Sequence, residues 1–147
     1  MRADRRAEVV WKGDLMSGSG TIVSSGSGAL SDLDVNWKAR TESSDGSTSP
    51  EELIAAAHAS CFSMALSHGL AQAGSPAEQL DVNAVVSFEQ VEGGWKIAKS
   101  ALDVSGTVPG MDEAAFKEAA EGAKEGCPVS SALKGNVELT LDARLQS

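Results

Sequence analysis

The chain has 147 residues, 41% of them hydrophobic and 22% charged, which suits one domain (residues 1–147) with a modest core. Its 21 acidic against 12 basic residues leave a net charge of −9, which excludes the clustered cations that a phosphate backbone demands, so no nucleic-acid partner is expected. Three arginines stand in the first six residues, but Glu8, Lys12 and Asp14 interrupt any apolar run behind them, and no segment approaches the ~20 apolar residues of a membrane helix, so the expected compartment is the cytoplasm and no membrane partner is expected.

Arg6 to Trp11 reads as a first strand, closed by a Gly13-Asp14 turn. Thr21-Ile22-Val23 has strand character inside a Gly/Ser-rich stretch, and Ser24 to Gly28 reads as a turn. Val35, Trp37 and Ala39 alternate with Asn36, Lys38 and Arg40, the pattern of a half-buried strand with Arg40 on its polar side. Thr41 to Ser49 is a polar loop. Ser49-Pro50-Glu51-Glu52 then supplies an N-cap, a first-position proline and first-turn acids, predicting a helix from about Pro50 to Ala73 that stops at Gly74. On it Leu53, Ala57, Cys61, Met64 and Ala65 share one stripe at three- and four-residue spacing.

Leu80, Val82, Ala84, Val86 and Phe88 alternate as a strand, and Glu92-Gly93-Gly94 turns it into a second from Trp95 to about Val108. Asp112 caps a helix of about Glu113 to Lys124 ending at Gly126. Cys127-Pro128 opens a short helical turn to about Lys134, and Val137, Leu139 and Leu141 form a closing strand. Strand runs separated by helices, joined by hairpins rather than by regular alternation, indicate an α+β fold with antiparallel pairing.

Only two cysteines occur, too few for a secreted disulfide scaffold. Cys61 lies among Ala and Met with no Lys or Arg within two turns of its helix, which fits inert filler as well as chemistry. Cys127, between Gly126 and Pro128, stands at a helix start, where free backbone N–H groups and the helix dipole favour a thiolate or a bound anion. Metal binding is the weaker alternative: His58 and Cys61 could share an ion, but His68 lies two turns further on. No metal and no cofactor is expected.

Ser49 to Ala65, with its Ala-His-Ala segment before Cys61, resembles the first cysteine motif of the OsmC/Ohr family of organic hydroperoxide reductases, in its OsmC branch. Gly126-Cys127-Pro128-Val129-Ser130 resembles the second, and the likeness extends through Trp11-Lys12-Gly13-Asp14 and Val108-Pro109-Gly110-Met111-Asp112. The resemblance implies an intertwined homodimer with antiparallel sheets around a long cysteine-bearing helix. It implies a peroxidatic Cys61, a resolving Cys127, and an Arg40–Glu51 pair beside the reactive sulfur, with Glu52 the rival acid. It also implies an organic hydroperoxide substrate, reduced through a Cys61 sulfenic acid and a Cys61–Cys127 disulfide, and an external dithiol reductant such as a lipoylated protein.

Helix geometry adds a constraint. Ten residues separate Glu51 from Cys61, about 15 Å along a straight helix. Either the helix breaks after its first turn or the Arg–Glu pair serves the cysteine of a partner chain. The competing reading from another class is a non-enzymatic thiol redox sensor or stress-associated binding protein, which has no need of the Arg40–Glu51 pair.

Overall fold

A computed structural model describes residues 1–146 of the chain, as two compact units that divide between Leu53 and Ile54. In the first unit, β1 (Ala7–Lys12), β2 (Ser19–Ser25) and β3 (Leu33–Val35) form an antiparallel sheet in that order. The strand expected through Trp37 and Ala39 stops at Val35, and α1 (Trp37–Thr41) follows, so Arg40 stands on a helix and not at a strand end. The cause is local. Asn36 is extended (φ −155°, ψ 168°) and its side-chain oxygen accepts the Ala39 amide at 2.8 Å, an N-cap that redirects the chain.

The long helix α2 (Pro50–Gln72) forms as its capping residues demand. The Ser49 hydroxyl accepts the Glu52 amide at 3.1 Å, and Gly74, at φ +82°, takes the left-handed conformation past the other end. The buried stripe is not the expected one. His58, Phe62, Leu66 and Leu70, four apart, are fully buried, whereas Met64 is 68% exposed and Ala57 is exposed. At 23 residues α2 is also long and apolar enough, by length and composition, to cross a membrane, against the expectation that no segment would be. Phe62, Leu66 and Leu70 nevertheless enter a protein core.

That core belongs to the second unit. β4 (Gln79–Val91) and β5 (Gly94–Thr107) pair antiparallel through a tight turn, and β6 (Glu138–Leu145) lies on the other side of β5. The β5–β6 pair is parallel, so this sheet is mixed where antiparallel pairing was expected. The chain between them runs through α3 (Glu113–Gly126) and α4 (Pro128–Leu133), and such a helical crossover returns a strand in the same direction. Asp112 caps α3 by accepting the Ala115 amide at 2.8 Å. Ser100, Leu102, Val104 and Gly106 line the buried face of β5, and Leu102 and Val104 join Phe62, Leu66, Phe116 and Cys127 in one cluster.

Candidate active site

Cys61 and Cys127 meet inside the second unit, both as free thiols. Cys61 lies half-buried on the flank of α2, one residue from the core stripe. Cys127 is fully buried and links two helices, as the C-cap of α3 and the N-cap of α4. Its amide donates to the Ala123 carbonyl at 2.9 Å and its carbonyl accepts the Ser131 amide at 3.0 Å, so both helices fix its backbone. Pro128 takes the first helical position, where no N–H is needed.

The two thiols titrate in opposite directions. Burial pushes Cys61 above the ordinary thiol range, and donating its S–H to Cys127 pushes it further, against the Val129 amide. Burial also acts to raise Cys127, but hydrogen bonding from the Cys61 thiol, the Ser130 amide and hydroxyl and the Val129 amide outweighs it and lowers the net value. No cap hydrogen bond closes on Cys127, yet the first turn of α4 points its donors at that sulfur.

Access favours the other sulfur. A groove of about 800 Å³ runs between α2 and α3, and Cys61 opens into it among Met64, Ala65, Met111, Ala119 and Ala123. Phe62 belongs to the core cluster, not to the groove.

Arg40 and Glu51 meet within the first unit. Arg40 Nη2 donates to Glu51 Oε1 at 2.7 Å and Arg40 Nε to Oε2 at 3.2 Å, a bidentate fork on a carboxylate that is itself buried. The guanidinium carbon also sits 5.7 Å from the Trp37 ring centre. Glu52, the rival acid, instead accepts the Thr48 hydroxyl at 2.8 Å.

In the sequence His58 stands out only as a weak candidate metal ligand beside Cys61, and no local pattern points to its partners. His58 is fully buried, with Nδ1 2.7 Å from Ser100 Oγ and Nε2 2.8 Å from Ser130 Oγ. A signal was present in the sequence: Ser100 is a polar residue in register with the apolar face of β5. Both ring nitrogens are engaged by hydroxyls. Burial lowers the His58 pKa from its ordinary 6.5, so the folded chain takes up this proton less readily than the unfolded chain. The resulting stabilisation is complete above pH 6.5 and is lost as pH falls through the lower folded value. His58→Gln should therefore show a smaller drop in melting temperature than wild type between about pH 7.5 and about pH 5.5. Equal drops in the two proteins would refute this.

A half-buried thiol in an apolar groove thus lies beside a buried thiol at a helix start, on an α+β fold. The family model described as OsmC-like protein matches residues 42–142. The chain is 44% identical to the peroxiredoxin OsmC of Escherichia coli (strain K12) over 147 residues, the full length of both. It is 35% identical to an organic hydroperoxide resistance protein of Xanthomonas axonopodis pv. citri over 96 residues, 64% of this chain and 65% of that one. The crystal structure of the organic hydroperoxide resistance protein OhrB of Bacillus subtilis superposes with a TM-score of 0.74 at 30% identity, covering 95% of this chain and 98% of that one. The chain belongs to the OsmC-like family.

Proposed function

We propose that this chain is a thiol-dependent peroxidase that reduces organic hydroperoxides to alcohols, with Cys61 as the peroxidatic and Cys127 as the resolving cysteine. One observation carries the reading: Cys61 opens to an apolar groove while the sulfur it touches is sealed in the core. A hydroperoxide entering the groove meets Cys61, and the apolar walls favour an alkyl peroxide over hydrogen peroxide. The family's peroxiredoxin and organic hydroperoxide resistance relatives support the same chemistry.

The Cys61 thiolate attacks the distal peroxide oxygen and the O–O bond breaks. The leaving alkoxide takes a proton to become the alcohol, and Cys61 becomes a sulfenic acid. The Cys127 thiolate then attacks the Cys61 sulfur. The S–O bond breaks, hydroxide leaves and is protonated to water, and the disulfide closes. An external dithiol, such as a lipoyl group on a protein, restores both thiols at the expense of its own oxidation to a disulfide.

The cation that favours Cys61 as thiolate is Arg40, held by Glu51. Because α2 is unbroken from Pro50 to Gln72, Glu51 lies about 15 Å along the helix from Cys61, so the pair acts on Cys61 of a second chain in a homodimer. Exposed Met64 on α2 and exposed Val9, Val10 and Trp11 on β1 give such a partner apolar surface to cover. A reducing cytoplasm is the compartment that suits two free thiols.

Wild-type protein should turn over cumene or tert-butyl hydroperoxide with dihydrolipoamide, and Cys127→Ser should stop after one turnover with a dimedone-reactive Cys61. Absence of wild-type turnover would overturn the activity. Dimedone labelling elsewhere than Cys61 would overturn the assignment.

A further inference from the structure

We propose that Asn36 is a positioning residue for Arg40: its side chain starts α1 and ties that helix to Ser47, which sets where the Arg40 guanidinium is presented. This rests on the reading of Arg40 as the cation that serves Cys61. The contacts lie within the first unit. Asn36 Oδ1 accepts the Ala39 amide at 2.8 Å, and Asn36 Nδ2 donates to Ser47 Oγ at 3.1 Å. Because a backbone amide can only donate, the Asn36 oxygen must face Ala39, which leaves the side-chain nitrogen for Ser47. Asn36 and Ser47 are both half-buried.

The cap decides between two courses of the chain. α1 has five residues, too few to hold a helix by propensity alone. Val35, Trp37 and Ala39 alternate with Asn36, Lys38 and Arg40, so the same residues also suit a continuation of β3. Arg40 lies four residues beyond Asn36, about 6 Å along a helix but about 13 Å along a strand. The Asn36 side chain favours only the helical course, because the Ala39 amide reaches it only where the chain turns. With α1 formed, Arg40 Nη2 meets Glu51 Oε1 at 2.7 Å and the guanidinium lies over the Trp37 ring.

Ser47 completes the clasp. The Thr48 amide donates to the Asp34 carbonyl at 2.9 Å and the Thr48 hydroxyl to Glu52 at 2.8 Å, so the segment entering α2 is anchored beside β3. Asn36 fastens the start of α1 to that anchored segment, and the Arg40–Glu51 fork fastens its end. A further ion pair of α1, Lys38 to Asp45 at 3.3 Å, is exposed on both sides and contributes little. Asn36 therefore holds the end of the clasp that lies apart from the reacting groups, and it acts on them only through Arg40.

The test uses the Cys127→Ser protein, in which Cys61 is the sole thiol, and follows its rate of alkylation by iodoacetamide against pH. Arg40→Ala should raise the midpoint, and Asn36→Ala should raise it by less. Asn36→Ser, which keeps a capping oxygen, should restore most of the shift. Ser47→Ala, which leaves the cap and removes the tie, should show part of it. In the Arg40→Ala background Asn36→Ala should move the midpoint no further, an outcome that general loosening of the fold would not give. With both cysteines present, Asn36→Ala should lower kcat/KM for cumene hydroperoxide about tenfold. An unmoved midpoint in Asn36→Ala overturns the proposal, and so does an equal shift with and without Arg40. An unmoved midpoint in Ser47→Ala overturns the tie even if Asn36→Ala fails to fold. Failure of the underlying reading looks different, because Arg40→Ala itself would then leave the midpoint in place.

Discussion

Cys61→Ser should lower hydroperoxide turnover by at least about 10³-fold and Arg40→Ala by about 10²-fold, and mixing the two inactive proteins should recover about a quarter of wild-type activity. The first loss follows because the serine hydroxyl stays protonated where a thiol can ionise, and Cys127 cannot substitute from its buried position. The second follows from the opposed titrations. Within one chain burial and the contact with Cys127 push the Cys61 thiol up, while hydrogen bonding, first from Cys61 and then from the start of α4, lowers Cys127. A cation must reverse that order before Cys61 can attack. In the proposed mechanism Arg40 is that cation, its guanidinium fixed in advance by Glu51 and the Trp37 ring. In a dimer with shared sites, each mixed dimer regains one site with both Arg40 and Cys61 intact. Half of randomly exchanged dimers are mixed and each carries one working site of two, hence about a quarter. No recovery after demonstrated exchange would place Arg40 and Cys61 of each site on one chain.

What the sequence revealed depended on how far each signal reached along the chain. The start of α2 was legible because Ser49, Pro50 and Glu52 act within one turn, and the structure closes that cap at 3.1 Å. The β4–β5 hairpin was legible because period-2 alternation and a Gly-Gly turn lie side by side. The helix α1 was not. Five residues are too short to show a helical period, and the alternation through Trp37 and Ala39 imitated a strand. In α2 the alanines make several faces apolar at once, so spacing alone could not select the stripe through Phe62, Leu66 and Leu70. The parallel setting of β6 follows from the route of α3 and α4 across the sheet, a tertiary choice with no local mark.

The site divides the same way. The Cys127 helix start could be read from Gly126 and Pro128 alone. The family motif, not spacing, singled out Cys61, Arg40 and Glu51. The His58 contacts to Ser100 and Ser130 join residues 42 and 72 positions apart, beyond any local pattern. Each serine alone is an ordinary buried hydroxyl. Their meaning arises only when the fold brings them to opposite sides of one ring.

Phe116→Ala should destabilise the protein by about 3–5 kcal/mol, lowering the melting temperature by about 10 °C. Phe116 is fully buried and lies over Gly106 of β5, where an added Cβ would meet its ring atoms at 2.5 and 2.6 Å. Gly106 is thus the socket that lets α3 approach the sheet, and Gly106→Ala alone should cost about 1–3 kcal/mol through overpacking. The two changes should not add. In Phe116→Ala the new methyl at position 106 enters the vacated space, so the double variant should be more stable than the sum predicts by at least about 1 kcal/mol. Strict additivity in thermal unfolding would refute the socket. The same contact bears on the proposed chemistry, because the Ala123 carbonyl in the last turn of α3 holds the Cys127 amide. Loosening Phe116 should therefore slow disulfide closure as well as reduce stability, and restoring volume with Gly106→Ala in the Phe116→Ala background should recover part of both.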